Sequence, residues 1–310
     1  MQPRKGEIAV FGSVNVDLVI RGPRLPQPGE TVIGGDFHSS QGGKGANQAV
    51  AAARAGRQKV TFIGAVGDDD FGRAARESLA REGIDGSLLK TVPDRPTGIA
   101  LILVDETGEN LISVASGANG AFIPEEVDAL PQAVFDRAAV LVTNLELPPG
   151  SVRRALRRAR SCGVTTVLNP APANQCIVKE GWLTDVDVLT PNRTEAAHLT
   201  GFACESEADA IACARELRRL GCRRVIVTLG SKGCVVVDDE VTTLAAHKVT
   251  AVDATAAGDA FTGALAAALA EGRSFREAAT WANAAAALAV TKSGAQPSIP
   301  SRSEIERLVG

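Results

Sequence analysis

Apolar residues come in short blocks along this chain, and the blocks change period partway through. Ile8-Ala9-Val10-Phe11 ends at a glycine and reads as a buried strand; Leu18-Val19-Ile20 follows at once. Ala46 to Ala55 and Phe71 to Arg81 have helical spacing. Two β-rich runs, Thr97 to Val104 and Asn110 to Ala115, flank Asp105-Glu106-Thr107-Gly108-Glu109, whose turn-forming residues predict a hairpin. From Val140 onward apolar strands alternate with helical stretches: Val140-Leu141-Val142, Val164 to Leu168, Val186 to Leu189 and Val225 to Leu229. Such alternation needs crossover connections, so it predicts an α/β fold with a mostly parallel central sheet flanked by helices. No repeat, low-complexity tract or Pro/Ser-rich linker divides residues 1–310, which read as one domain. The strands near Leu18, Thr31 to Phe37, Thr97 and Asn110 stand outside the alternation. They predict a small separate β-sheet drawn from about residues 15–40 and 96–116.

Composition narrows the partners. The 310 residues are 45% hydrophobic and 22% charged, enough for a large core. A net charge of −3 gives no field toward nucleic acid or membrane, and neither is expected as a partner. Tyrosine is absent and aromatics are 4%, which leaves few stacking platforms for single strands. The arginines between Arg153 and Arg160 read as a solvated helix face. The alanine-rich run from Ala260 to Ala270 is too short to span a bilayer. The six cysteines show no C-x-x-C pair and no zinc spacing, so they read as reduced thiols of a cytoplasmic protein. The opening Met1-Gln2-Pro3-Arg4-Lys5-Gly6-Glu7 has no apolar stretch of the signal-peptide kind. Three scattered histidines predict no histidine metal site.

The chemistry concentrates at two glycine turns that open helices: Gln41-Gly42-Gly43-Lys44-Gly45-Ala46-Asn47-Gln48 and Asp253-Ala254-Thr255-Ala256-Ala257-Gly258-Asp259-Ala260-Phe261. Helix starts present unpaired N–H groups and a positive dipole end, and so attract anions. Generic nucleotide motifs fail here. Gly43-Lys44 is followed by Gly45 rather than Ser or Thr, the last glycine of a dinucleotide fingerprint is missing, and no H-E-x-x-H or G-x-S-x-G occurs. A lone carboxylate at an anion-attracting turn is repelled by the anion unless the two react together. Asp259 is therefore a candidate general base, with the N–H groups of Ala256, Ala257 and Gly258 facing the charge that develops; the plain alternative is a first-turn acid that stabilises the helix dipole.

Taken in order, these two segments resemble the paired signatures of the ribokinase family of sugar kinases. Asn15, Asp17, the turn Gly67-Asp68-Asp69-Asp70-Phe71-Gly72, Asn169-Pro170-Ala171-Pro172-Ala173, Pro191-Asn192-Arg193-Thr194-Glu195, Thr228-Leu229-Gly230-Ser231-Lys232-Gly233 and Gly294-Ala295-Gln296-Pro297-Ser298 fall where that family has its own motifs. The resemblance runs from about Ile8 to the last helix. It implies a ribokinase-like fold in which the small β-sheet is a lid over the sugar and a homodimer contact. It implies ATP-dependent phosphorylation of D-ribose at O5, giving D-ribose 5-phosphate, with Asp259 as base and the 256–258 turn as anion hole.

By the same resemblance, Asn15, Asp17, Gly43, Lys44, Asn47 and Glu146 hold ribose. Asn192 and Glu195 lie near the phosphates and Mg2+, Glu195 acting mainly through water. Thr228, Gly230, Ser231, Lys232, Gly233 and Gly258 follow the nucleotide, and Asn283 approaches the adenine. Asp253 and Ser298, with backbone groups of Thr255, Ala289, Lys292 and Gly294, hold K+; the Lys292 side chain is expected to point to solvent. Read locally, the sugar residues are turn or cap residues, and Asn192 with Glu195 is a capping box. Asp68-Asp69-Asp70 reads as a helix start. Two other functions stay open: a kinase for deoxyribose or another free sugar, and an inactive sugar sensor, which would lack the base or the turn.

Overall fold

Strand β1 (Glu7–Phe11) lies inside a sheet because Ile8 to Phe11 are all apolar and all buried, as a strand covered on both faces must be. The computed structural model describes residues 5–310; residues 1–4, part of the opening segment read above, lie outside the described residues. The strands that follow are β2 (Asn15–Arg21), β3 (Asp36–Gly42), β4 (Val60–Gly67), β5 (Asp85–Val92), β6 (Gly98–Val104), β7 (Asn110–Ala115), β8 (Ala138–Thr143), β9 (Thr165–Leu168), β10 (Val188–Leu189), β11 (Arg224–Thr228), β12 (Cys234–Val237) and β13 (Val241–Leu244). Nine of them form one sheet in the order β13-β12-β11-β10-β9-β8-β1-β4-β5. It is parallel from β11 to β5 and antiparallel at the β12–β13 edge.

Helices cover both faces and create two cores. One core holds the alanine-rich helices Ala257–Ala270 and Phe275–Ala289 with the helix Lys44–Ala55. Small side chains let these backbones approach closely. A Cβ added at Gly263 would lie 2.4 Å from the Gln48 carbonyl oxygen, so that position admits only glycine. The close contact brings the two glycine turns of the sequence to one end of the sheet. On the other face, the helix Pro149–Ser161 carries the arginine stripe. Arg153, Arg154, Arg157 and Arg160 pair with Glu180, Asp128, Asp185 and Asp187 at the surface, where such pairs add little to stability. The Asp69 carboxylate accepts the Gly72 N–H (2.8 Å) and caps the helix Asp70–Arg81. No described helix is long and apolar enough to cross a membrane.

The other four strands form the sheet β3-β2-β6-β7. The hairpin β6–β7 is as predicted: the Asp105 carboxylate accepts the N–H groups of Thr107 and Glu109 and closes the turn. The strand expected over Thr31 to Phe37 is displaced. Its true span is Asp36–Gly42, paired antiparallel with β2 from Arg21↔Asp36 to Asn15↔Gly42. Gly34 and Gly35 take left-handed φ of 99° and 123°, which breaks the extended run ahead of Asp36. The lid's first segment therefore runs past residue 40. The run Val186 to Leu189 shrinks to the two-residue β10, and β4, β5, β12 and β13 were not foreseen.

Alternation along the small sheet sorts its residues. Asn15, Asp17 and Val19 share one face, with Ala100, Ile102, Ile112 and Val114 beside them in register. Leu18 and Ile20 take the other face with Phe37, Leu101, Leu103 and Leu111. On that second face Ile20, Phe37, Leu101 and Leu111 are 44%, 64%, 55% and 52% exposed, an apolar surface left uncovered.

Candidate active site

The helix Lys44–Ala55 starts against β1. Ser13 Oγ, just past β1, donates to Glu146 Oε2 (2.5 Å) and accepts the Gly45 N–H (3.2 Å), while the Lys44 N–H donates to the same Glu146 oxygen (3.1 Å). Glu146 follows β8, so a carboxylate from one strand end caps a helix that starts beside another. Asn15, at the start of β2, is oriented by Asn119. Asn119 Nδ2 donates to Asn15 Oδ1 (2.9 Å) and to the Val14 carbonyl (2.9 Å), and its Oδ1 accepts the Val14 N–H (3.0 Å). Nothing in the local sequence marked Asn119 for this role; its partner lies 104 positions away.

Asp259 sits in the first turn of the helix Ala257–Ala270 and is only 5% exposed. Its Oδ2 accepts from Asn47 Nδ2 (3.0 Å) and its Oδ1 from Gln48 Nε2 (3.0 Å). Gln48 also donates to Asn169 Oδ1 (3.2 Å), and Asn169 Nδ2 donates to the Thr190 carbonyl (3.0 Å), a chain that anchors the carboxylate to the strand ends. Gln48 and Thr190 were not anticipated as site residues, and Asn169 was noted only as part of a motif. Asn47 Oδ1 and Gln48 Oε1 are buried and have no partner among the described residues. Burial pushes the Asp259 carboxyl above its ordinary range, although Lys44 and the two amides pull the other way. Ala256, at φ 60°, is the one non-glycine residue described in the left-handed region, at a cost of about 1–2 kcal/mol. Strain of that kind gathers where a turn must aim its backbone.

Two cavities meet at Lys44. One, of about 150 Å3, is lined by Lys44, Asn169, Asn192, Glu195, Thr228, Ala256, Gly258 and Asp259, among others. The second, of about 450 Å3, is lined by Asn15, Lys44, Val114, Asn119 and Glu146 with Leu145 to Pro149. The charge of Asp259 first, then of Glu146, Glu195 and Asp17, holds the Lys44 ammonium above its ordinary value against its burial. Asp17 is pushed up to about 6 by burial, then by Glu146 and Asp259, with Lys44 opposing. One lysine thus balances several carboxylates at the junction.

Asn192 and Glu195 form a reciprocal capping box at the helix Arg193–Thr200 and also line the smaller cavity, so the local and the functional readings both hold for their placement. Burial raises the Glu195 carboxyl despite the Asn192 N–H it accepts. Thr228 lines that cavity, while Gly230, Ser231, Lys232 and Gly233 lie on the turn just after it and do not. Asn283 donates to the Ala245 carbonyl (2.8 Å) and tethers its helix to the chain beyond β13.

The segments about Asp253 and Gly294 are joined. Asp253 accepts the N–H groups of Thr255 (2.9 Å) and Gly294 (2.9 Å), and its own N–H donates to the Val290 carbonyl (3.2 Å), one residue past Ala289. Ser298 Oγ donates to the Ala295 carbonyl (2.8 Å). Burial pushes the Asp253 carboxyl up, but these hydrogen bonds overcome it and hold it below the usual range. Lys292 turns away and pairs with Glu304 at 2.8 Å. No group of three or more His, Cys, Asp or Glu among the described residues forms a metal cage.

Comparison with known proteins agrees with this geometry. The profile described as pfkB family carbohydrate kinase matches residues 5–302. The chain is 43% identical over 298 residues to the ribokinase of Haemophilus influenzae, covering 96% of each. It is 39% identical over 310 residues to that of Schizosaccharomyces pombe, again 96% of each. The solved structure of Arabidopsis thaliana ribokinase complexed with ribose and ATP is similar with a TM-score of 0.89 at 30% identity, covering 98% of this chain and 99% of that one. Likeness of this extent runs through every segment that converges on Asp259 and Lys44, and the chain belongs to the pfkB family of carbohydrate kinases.

Proposed function

We propose that this protein transfers the terminal phosphoryl group of ATP to O5 of D-ribose. The observation that carries the reading is Asp259: a buried carboxylate, fixed by two amide donors, at a helix start in a cavity that shares Lys44 with a second cavity under the small sheet. Ribose lies where the two cavities meet, against Asn15, Asp17, Asn47, the Gly43 turn and Glu146. The partnerless Asn47 Oδ1 fits a hydroxyl donor, as a polyol supplies. ATP lies along Thr228 and the Gly230–Gly233 turn. Asp259 takes the proton of O5 as that oxygen attacks the terminal phosphorus; the bond to the bridging oxygen breaks and ADP leaves. First-turn N–H groups of the helix Ala257–Ala270, which lack intrahelical partners, meet the charge on the transferring group, and Lys44 adds a positive charge beside it.

Glu195, mainly through water, would hold Mg2+, which when bound neutralises phosphate charge. Asp253 and Ser298 with carbonyls of the joined loops would hold K+, whose charge there would fix the turn that begins at Ala256. Activity assayed in buffer free of monovalent metal ions is expected to rise on adding KCl and much less on adding NaCl; equal rates in all three conditions would remove the K+ assignment alone.

The substrate is tested by a coupled ATPase screen over free pentoses, hexoses, nucleosides and sugar phosphates. D-ribose is expected to give the highest kcat/KM. A nucleoside or a phosphorylated sugar in first place overturns the assignment, and absence of turnover with any sugar favours a sensor.

The exposed apolar face of the small sheet supports a homodimer through the lid. Light scattering is expected to give twice the chain mass of 32.0 kDa, and Leu101→Asp to give the monomer. A monomeric wild-type protein at micromolar concentration would count against the lid contact.

A further inference from the structure

The opposite end of the central sheet holds a second chemical environment. A cavity of about 630 Å3, within the range of small-molecule sites, lies at the N-terminal ends of β9 and β11. Its lining includes Arg160, Arg223, Arg224, Arg273 and Arg276 against only Asp187 and Asp238. Most of the possible neutralisation is already spent. Asp187 is taken by Arg160 (3.2 Å) and by the N–H of Thr166 (3.0 Å). The Asp238 carboxylate accepts the Glu240 N–H (3.0 Å). Arg273 pairs with Glu271 (3.0 Å) and lies over the Trp281 ring at 4.2 Å. That leaves three arginines. The side chains of Arg223 and Arg276 have no hydrogen-bond or ion-pair partner among the described residues. Arg224 lies over the Phe275 ring at 4.9 Å with no carboxylate on it. Burial, then the like charge of Arg223, depresses the Arg224 value, against the charges of Asp238, Asp187 and Asp239, none of which forms an ion pair with it.

The geometry points to a binding site for a small metabolite carrying two or more phosphate groups. Guanidinium forks match phosphate oxygens two at a time, and three unpaired forks around one cavity call for more than one anionic group. The cavity is larger than a single phosphate ion needs. Its remaining walls, Val164, Leu269 and Phe275, offer apolar surface to a carbon skeleton. The protein carries a net charge of −3, so this local excess is no part of a general basic character. The adjacent helix start adds nothing, because Ser274 and Glu277 already cap it. The cavity is separate from the catalytic cleft. β11 starts at Arg224 in the cavity and ends at Thr228 in the cleft, about 13 Å away at the rise of a strand.

The test is isothermal titration with 2,3-bisphosphoglycerate in Mg2+-free buffer, on protein saturated with ADP and D-ribose. Wild type is expected to bind one equivalent, with affinity falling as NaCl is raised. Arg223→Gln with Arg276→Gln is expected to weaken binding at least tenfold, while Asp259→Asn leaves it unchanged. Both arginines are exposed and unpaired, so the double variant keeps its fold; Arg276→Gln alone gives a second reading, with a smaller loss. Unchanged affinity in the arginine variants, or no binding by wild type at millimolar probe, overturns the proposal. Binding altered in either direction by Asp259→Asn places the probe in the catalytic cleft and overturns it equally. None of these outcomes depends on which sugar the cleft phosphorylates.

Discussion

Asp259→Asn is expected to lower kcat by about 10²–10⁴-fold, the usual contribution of a general base, while D-ribose and ATP still bind. The fold should tolerate the change for a specific reason. Asn47 and Gln48 each turn a donor toward the carboxylate, and each leaves its carbonyl oxygen buried without a partner. Rotating one of these amides by half a turn presents its oxygen to the NH2 group of the introduced amide, so no donor needs to face a donor. Loss of a buried charge also removes a desolvation cost. The variant should therefore melt no lower than wild type while turning over far more slowly. Single-turnover kinetics with direct sugar titration checks this: activity within a few-fold of wild type would take Asp259 out of the proton transfer.

The second large effect concerns the sugar. Asp17→Ala is expected to weaken D-ribose binding by about 10- to 100-fold, the worth of hydrogen bonds to a charged acceptor, with ATP affinity moving far less. Asp17 is held at about 6, so ribose affinity should rise as pH passes upward through that value and the carboxylate forms. Asp17→Asn should flatten the dependence. The stability effect has the opposite sign. A carboxyl raised from 3.8 to about 6 binds its proton more tightly in the folded state, so folding carries no penalty below pH 3.8 and the full one above 6. Full strength would be about 3 kcal/mol at 1.36 kcal/mol per pKa unit, and partial exposure leaves roughly 1–2. Asp17→Asn should thus be the more stable protein at pH 7 and the poorer binder. A variant that binds ribose as wild type does at pH 7 would remove Asp17 from the sugar site.

The sequence exposed the two turns because glycine, lysine and aspartate at helix starts are chemically conspicuous. Gln48, Asn119 and Thr190 are not conspicuous. Gln48 looks like any polar residue of an amphipathic helix, and its partner Asp259 lies 211 positions away. The packing of the helices Lys44–Ala55 and Ala257–Ala270, with Gly263 against the Gln48 backbone, brings the pair together. β4 escaped because Thr61, Gly64 and Gly67 interrupt its apolar run, although all eight of its residues are buried. β3 was misplaced because its polar sequence Asp-Phe-His-Ser-Ser-Gln-Gly is held by ladder bonds to β2 rather than by a buried face. Thr228 reached the cleft while Lys232 and Asn283 did not line it, since a motif fixes chain position but not where a long side chain turns.

β2 sets Asn15 and Asp17 on one face of the small sheet and Leu18 and Ile20 on the other. With a side-chain period of two, a single inserted or deleted residue would exchange the faces, turning the leucine toward the Asn15 side and the carboxylate onto the exposed apolar face. Substitution can therefore change the two faces independently, position by alternate position, whereas a change of length alters both at once. Divergence among relatives should accordingly accumulate as point changes within β2, with gaps confined to the loop between Arg21 and Asp36.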